Sequence, residues 1–142
     1  MSDYDFKKLS FYAPGDRIYA QAQQIWMILV GIVIAHQVGG AKGLPATITY
    51  GDVAELMGKG RQAGRTLTRQ LWMIGEYCRD NGIPTLNSIV VNRETGLPGH
   101  DVVLSSGNTA ADEIRNVSRY EWAKVRIPSI ATFRDVWDQI SE

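Results

Sequence analysis

The segment from residue 17 to residue 37 constrains the fold most, because it predicts a long helix that is apolar on nearly every side. Its apolar residues include one helically spaced set and others that occupy the remaining faces: Ile25, Ile28, Leu29, Ile32 and Val33, with Trp26, Met27, Val30 and Ile34. Such a helix has to be buried on most sides. We therefore predict a central core helix, capped by Asp16 and ended by Gly39 and Gly40.

Composition indicates a single domain in a reducing compartment. The chain has 142 residues, of which 44% are apolar, enough to bury a core. Its 15 basic and 15 acidic residues cancel, so any attraction to nucleic acid must be local. The single cysteine, Cys78, cannot form an internal disulfide, and the longest apolar run (25–35) has about half the roughly 20 residues that span a bilayer. We expect a soluble, cytoplasmic protein that does not interact with membranes.

The remaining pattern predicts a mainly α fold with a small β-hairpin. We expect a single domain in three parts: an N-terminal arm (1–16, with a short strand over 9–12), a winged-helix core (17–104) and a C-terminal helical extension (105–142). Within and after the core, we predict helices over 50–57 and 61–81, a strand over 86–92, a turn over 93–99, a return strand over 102–104, and helices over 109–124 and 130–140. Thr49, Thr109 and Ser129 are the expected helix caps.

The predicted helix over 61–81 has a basic face. At about 100° per residue, Arg61, Arg65 and Arg69 share a wedge of roughly 80° on the side opposite the apolar residues. A short helix, a glycine turn and a basic second helix are typical of the helix-turn-helix, whose second helix contacts DNA. The stripe also fits an ordinary solvated helix face. Trp72 projects near it and either packs under a terminal helix or contacts a partner.

Four segments occur in the order QQIWMIL (23–29), ITYGDVAELMG (48–58), AGRTL (63–67) and IPTLNSIVVNRETGLPG (83–99). Together they resemble the C-terminal DNA-binding domain of the alkylguanine-DNA alkyltransferase and alkyltransferase-like families. The resemblance implies a winged helix-turn-helix, here with extra C-terminal helices. It also implies that Tyr50 helps to rotate a target nucleotide and that Arg65 fills the vacated place in the base stack.

The resemblance places Asn87 at the position of the reactive cysteine and Ser88 at that of the following histidine. A carboxamide cannot accept an alkyl group as a thiolate does, so alkyl transfer is excluded and we expect no enzyme activity. An enzymatic alternative requires His100, Asn87 and a hydroxyl group to converge in one pocket. His100 and the adjacent Asp101 do not by themselves make a triad, because neighbouring side chains diverge.

We expect structural roles for the other candidate groups, His36 and Cys78. His36 lies at the end of an apolar helix with no second ligand at metal spacing, so we expect it to be packed or capped. Cys78 falls on the apolar side of its helix and is expected to be an inert core thiol. No metal or cofactor site is expected, since the chain has no zinc-finger spacing and no phosphate-binding loop.

The leading hypothesis is a non-enzymatic winged-helix protein that binds duplex DNA. The residues expected to contact DNA are Tyr50, Arg61, Arg65, Arg69, Asn87 and, on the wing, Arg93. The alternative is a small protein-interaction or inhibitory module, of the type found among phage and mobile-element accessory proteins. It would use the same scaffold to bind a protein, or a small anionic ligand at the glycine-rich turn. Zero net charge favours this alternative.

Overall fold

The computed structural model describes residues 9–39, 44–99 and 102–142, which are mainly helical. The α-helices in these ranges are α1 (Arg17–Gly39), α2 (Tyr50–Leu56), α3 (Thr68–Asp80), α4 (Ala110–Arg119) and α5 (Ile130–Ile140). The 3-10 helices are Pro14–Asp16, Arg61–Leu67, Leu86–Ile89 and Trp122–Lys124. Strands β1 (Ile48–Thr49) and β2 (Val90–Val91) form a small parallel sheet, with Ile48 opposite Val90.

Helix α1 is the central core helix, as its composition predicts. It packs against α3, α4 and α5, and Ile25, Leu29 and Val33 on it are fully buried. Trp26 is also buried and meets Trp122 edge to face, with ring centroids 5.7 Å apart. The aromatic contacts of Trp26 therefore join α1 to the C-terminal part of the chain.

One side of α1 stays exposed, whereas the sequence predicts burial on most sides. Met27 is 52% exposed and Val38 is 82% exposed. By length and composition alone, Pro14–Gly39 could cross a membrane, with a mean hydropathy of 1.6 over its most apolar window. The core helices of globular proteins pass the same test, and the opposite side of α1 lies in the core.

The predicted helix caps are confirmed at three positions. The Thr49 side chain accepts a hydrogen bond from the backbone of Asp52 at the start of α2. Thr109 and Asp112 form a reciprocal capping box at the start of α4, and Ser129 caps α5. Each cap satisfies backbone N–H groups that have no partner inside the helix. These helix starts are determined by a few neighbouring residues.

The predicted β-hairpin is wrong. The two strands are parallel rather than antiparallel, and they are joined by a crossover that contains α2 and α3. Residues 102–104 form no strand. Most of the predicted strand over 86–92 is instead the 3-10 helix Leu86–Ile89. The Ser88 backbone N–H donates to the carbonyl of Thr85, the residue before this helix, and the hydroxyl groups of Thr85 and Ser88 hydrogen-bond at 2.6 Å. Local polar pairing therefore outweighs the strand propensity of the branched residues.

The predicted helix over 61–81 is divided. Arg61–Leu67 is a 3-10 helix, and the α-helical part begins only at Thr68. In the 3-10 segment, the Thr66 hydroxyl donates to the Ala63 carbonyl. Because a 3-10 helix has about three residues per turn, an α-helical wheel does not describe how Arg61 and Arg65 are arranged.

The C-terminal extension is attached through a buried carboxyl group. Glu113 on α4 has no exposed surface; one of its oxygens accepts from the Ser105 backbone at 2.6 Å and the other from the Thr85 backbone at 3.4 Å. The helix predicted over 109–124 ends at Arg119, and a short 3-10 helix follows at Trp122–Lys124. No strand is found over the described residues 9–12.

Candidate functional site

A cavity of about 680 Å³ lies between the start of α2, the 3-10 helix Arg61–Leu67 and α3. Its volume falls within the roughly 300–1,000 Å³ typical of ligand sites. Three of the residues expected to contact DNA, namely Tyr50, Arg65 and Asn87, line it together. They come from three separate elements, so their convergence is a property of the fold rather than of local sequence.

Tyr50 is the first residue of α2 and is partly exposed at the cavity. Its hydroxyl oxygen accepts a hydrogen bond from the backbone N–H of Gly99 at 3.1 Å. Gly99 ends the turn over 93–99 and also lines the cavity. The phenol therefore connects the glycine-rich turn directly to the beginning of α2.

Arg65 reaches the cavity because Gly64, its neighbour, packs directly on α2. A Cβ atom at position 64 would lie 2.8 Å from both the carbonyl carbon and the oxygen of Tyr50. Only a glycine permits this backbone approach. The Arg65 side chain is exposed and forms no ion pair with the described residues.

Arg61 is not the free DNA-binding cation that the helical wheel predicts. Its guanidinium group forms ion pairs with Asp52 and Glu55 of α2 and packs over Gly51. The hydrogen bond from Arg61 holds the pKa of Asp52 below its usual value, and the same bond raises the pKa of Arg61. Two carboxylates thus surround this one cation, the cluster carries a net charge of −1, and the ion pairs join the 3-10 helix to α2.

Two further predicted DNA contacts lie outside the cavity. Arg69, in the first turn of α3, is exposed and forms no ion pair with the described residues. Arg93, in the turn after β2, is also exposed, and its charge makes a small contribution to lowering the pKa of Asp52. Both guanidinium groups are open to solvent, which a phosphate contact requires.

Asn87 is buried rather than exposed, with a relative accessibility of 3%. Its side-chain nitrogen donates to the Val103 carbonyl at 3.1 Å. Its side-chain oxygen is closed to water and has no hydrogen-bond donor in the described part of the chain. Asn87 therefore cannot contact a DNA backbone at the surface, and it belongs to the wall of the cavity.

Trp72 forms another wall of the cavity and is covered on one side only. Its ring meets Trp137 of α5 edge to face at 5.7 Å, as expected for packing under a terminal helix. Its indole N–H donates to Glu76 at 3.3 Å. The side chain remains 40% exposed, so the C-terminal extension orients this ring without hiding it.

His36 and Cys78 are not part of this cavity. His36 hydrogen-bonds the Leu44 carbonyl through its ring nitrogen, as expected of a packed histidine. Cys78 is fully buried, and desolvation raises its pKa to about 12, as expected of an inert core thiol. His100 and Asp101, which the enzymatic alternative needs, lie outside the described residues.

Several lining residues were not predicted as part of a site. Thr68, Asn92 and Val103 face the cavity from three different segments. No local signal distinguishes them from ordinary helix or loop residues, whereas Gly64 could have been suspected because it is a glycine within a basic segment.

Comparisons of the chain with protein families, with characterised proteins and with solved structures give no match, so the resemblance to alkyltransferase-like domains depends on the residues of this chain alone.

Proposed function

We propose that this protein is a non-enzymatic, cytoplasmic DNA-binding protein of winged-helix type that receives an extruded nucleotide in its cavity. One observation supports this proposal above all. A single cavity of about 680 Å³ is lined by Tyr50, Arg65 and Asn87, which occupy the functional positions implied by the resemblance. Extruding a base costs a few kcal/mol, and a neighbouring arginine that fills the gap offsets part of that cost.

In this proposal, α2 and α3 take the places of the two helices of a helix-turn-helix. The turn over 93–99 takes the place of the wing. The close packing of the 3-10 helix on α2 supports this assignment, because it brings the start of α3 beside the cavity. The parallel pairing of β1 with β2 departs from a standard wing, which is a hairpin.

The charges near the cavity support a duplex as the ligand. With Arg61 in ion pairs, the arginines predicted to contact DNA that are exposed and form no ion pair with the described residues are Arg65, Arg69 and Arg93. In this proposal Arg69 and Arg93 contact phosphates, and Arg65 brings its charge close to the backbone from within the base stack. Three such charges are few, which suits a chain of zero net charge. We therefore expect weak binding that depends on local rather than overall charge.

The salt dependence of binding tests this function. If each of the three arginine charges neutralises one phosphate, the logarithm of the association constant falls with that of salt concentration with a slope of about −2.7. Affinity for a duplex should then fall about 40-fold between 50 and 200 mM salt. Fluorescence anisotropy on several unrelated duplexes measures this slope, and the absence of binding at 50 mM salt would refute the proposal.

The exposed side of α1 favours a second candidate function, binding to another protein. Met27, Gly31, Ala35 and Val38 follow helical spacing, and all four are exposed in the described structure. Neighbouring turns of one helix thus present an apolar surface, of a kind that marks interaction sites. Such a surface is what an interaction module requires and is not needed for DNA binding.

A charged residue on that side of α1 tests the second candidate. Met27→Lys should abolish the capture of a partner from a lysate of the source cells, because it places a charge in the apolar surface. Leu56→Lys is a matched control, since Leu56 is 59% exposed on α2. Identical captured proteins with wild type and Met27→Lys would exclude this surface as the binding site.

A further inference from the structure

One tryptophan side chain in the cavity wall is partly open to solvent. Trp72 on α3 is 40% exposed and lines the cavity, whereas Trp26 and Trp122 are each 1% exposed. Aromatic rings usually contribute to stability by being buried, so an indole that stays open in a concave site is available to a ligand. Leu71 and Val103 add apolar surface to the same cavity. The cavity therefore offers a flat, apolar surface as well as polar groups.

The aromatic and polar contacts of Trp72 hold the indole without covering both of its faces. Its N–H lies in the plane of the ring and donates to Glu76 at 3.3 Å. Glu76 is itself held by an ion pair with Arg79 at 2.6 Å. The ring of Trp137 meets Trp72 at 90°, and an edge-to-face pair covers at most one face of either ring. The indole is therefore fixed in orientation, with at least one face that Trp137 does not cover.

A fixed and partly open indole favours a planar aromatic ligand over an aliphatic one. Because Glu76 and Trp137 already restrain the ring, a ligand that stacks on it has little further conformational freedom to remove. Stacking on an aromatic side chain strengthens binding about tenfold per base, and it tolerates any base because each has a flat π-face. An aliphatic group of the same volume would bury apolar area without this contribution.

We propose that Trp72 is the residue on which the ligand stacks, so that the cavity binds a planar nucleobase through the open face of this indole. This rests on the proposed function in taking the cavity as the ligand site. Because every base has such a face, Trp72 gives the site a requirement for an aromatic ring rather than for one particular base. The ring is supplied either by a free nucleoside or by a nucleotide extruded from DNA.

The ligand side of the test compares two rings that differ in flatness. Thymidine and dihydrothymidine carry the same carbonyl and N–H groups, but the dihydro ring has lost its carbon–carbon double bond and is no longer flat or aromatic. In isothermal titration calorimetry with wild-type protein, thymidine should bind about tenfold more tightly. A second series uses duplexes with thymine or dihydrothymine at one mismatched position.

The two series distinguish the sources of the ring. A preference for thymine in the duplex series alone identifies an extruded nucleotide as the ligand, and a preference that extends to the nucleosides shows that the free ring is sufficient. No preference in either series overturns the proposal.

The protein side of the test removes the aromatic face. Trp72→Leu keeps an apolar side chain but cannot stack, so it should reduce the roughly tenfold preference to parity. Trp72→Phe keeps an aromatic face and should retain most of the preference. A preference that persists in Trp72→Leu would assign the stacking to another ring and overturn the proposal. Circular dichroism establishes whether Trp72→Leu is folded, and if it is not, the tryptophan emission of the wild type decides.

Tryptophan emission gives a direct readout of the stacking. A base stacked on Trp72 should quench its fluorescence, whereas the buried Trp26 and Trp122 do not line the cavity. We expect the better-binding thymine ligand to quench the wild type and to quench Trp72→Phe much less, although Trp72→Phe still binds it. Binding to the wild type without quenching would place the ring elsewhere and overturn the proposal.

The outcomes separate this inference from the proposed function. Salt-dependent binding to duplexes, with no preference for thymine over dihydrothymine, would refute the role of Trp72 and leave DNA binding intact. A preference for thymidine over dihydrothymidine, with quenching of Trp72 but without salt-dependent duplex binding, would have the opposite meaning.

Discussion

Gly64→Ala is expected to destabilise the protein by about 2–3 kcal/mol, as is typical when a methyl group is forced into a fully packed position. The added Cβ atom would lie 2.8 Å from backbone atoms of Tyr50 and 3.0 Å from the Gly51 nitrogen. Backbone atoms cannot move aside as a flexible side chain can, so α2 and the 3-10 helix must separate. Urea unfolding followed by circular dichroism measures the loss.

Gly31→Ala is the matched control for this substitution. Gly31 is exposed in the interior of α1, and a Cβ atom there would meet nothing within 4 Å. Alanine should therefore stabilise the helix by about 0.5–1 kcal/mol, since it restricts the unfolded chain. Gly64 has no positive φ angle, so the comparison isolates packing from backbone strain. Equal stability of Gly64→Ala and wild type would show that the two elements are less closely packed than described.

The helix caps and the core helix could be predicted because their causes are local. Thr49, Thr109 and Ser129 each cap the helix that follows within three residues, and the apolar pattern of α1 lies within one segment. The parallel sheet could not be predicted in this way. Pairing Ile48 with Val90 depends on how α2 and α3 cross between the strands, which no short sequence pattern encodes.

The candidate site was predicted in part, and for the same reason. Tyr50, Arg65 and Asn87 were identified through the resemblance, but the burial of Asn87 depends on Gly75 and Val103, which are distant in sequence. The ion pairs of Arg61 were not predicted, because a helical wheel contains no information about α2. Its carboxylates become visible as partners only once the 3-10 helix is packed on them.

The double substitution Arg65→Ala with Arg69→Ala is expected to reduce affinity for duplex DNA roughly 100-fold at 50 mM salt. Both guanidinium groups are exposed and form no ion pair with described residues, so each can bring its charge against the proposed DNA ligand, Arg65 from the base stack and Arg69 at a phosphate. The salt slope should also fall by about one unit for each arginine removed, to about −0.9. Fluorescence anisotropy over a range of salt concentrations measures both quantities.

Arg119→Ala is the control for the loss of one positive charge. Arg119 is an exposed arginine at the end of α4 and does not line the cavity. Its removal should leave the salt slope unchanged, because its charge is not placed at the proposed interface. Arg119→Ala could instead lower affinity by as much as each substitution contributes in the double variant. That result would show that net charge, rather than the position of the arginines beside α2, governs the interaction.

The hydrogen bond from Gly99 to the Tyr50 hydroxyl has a thermodynamic consequence for recognition. A glycine-rich turn that was free to move would have to be immobilised by its ligand, and that ordering would oppose association. Here the Tyr50 hydroxyl restrains the turn when the protein folds. The turn therefore loses its conformational entropy on folding and not on ligand binding. At the proposed DNA interface, which has few cations, this preorganisation would raise the affinity.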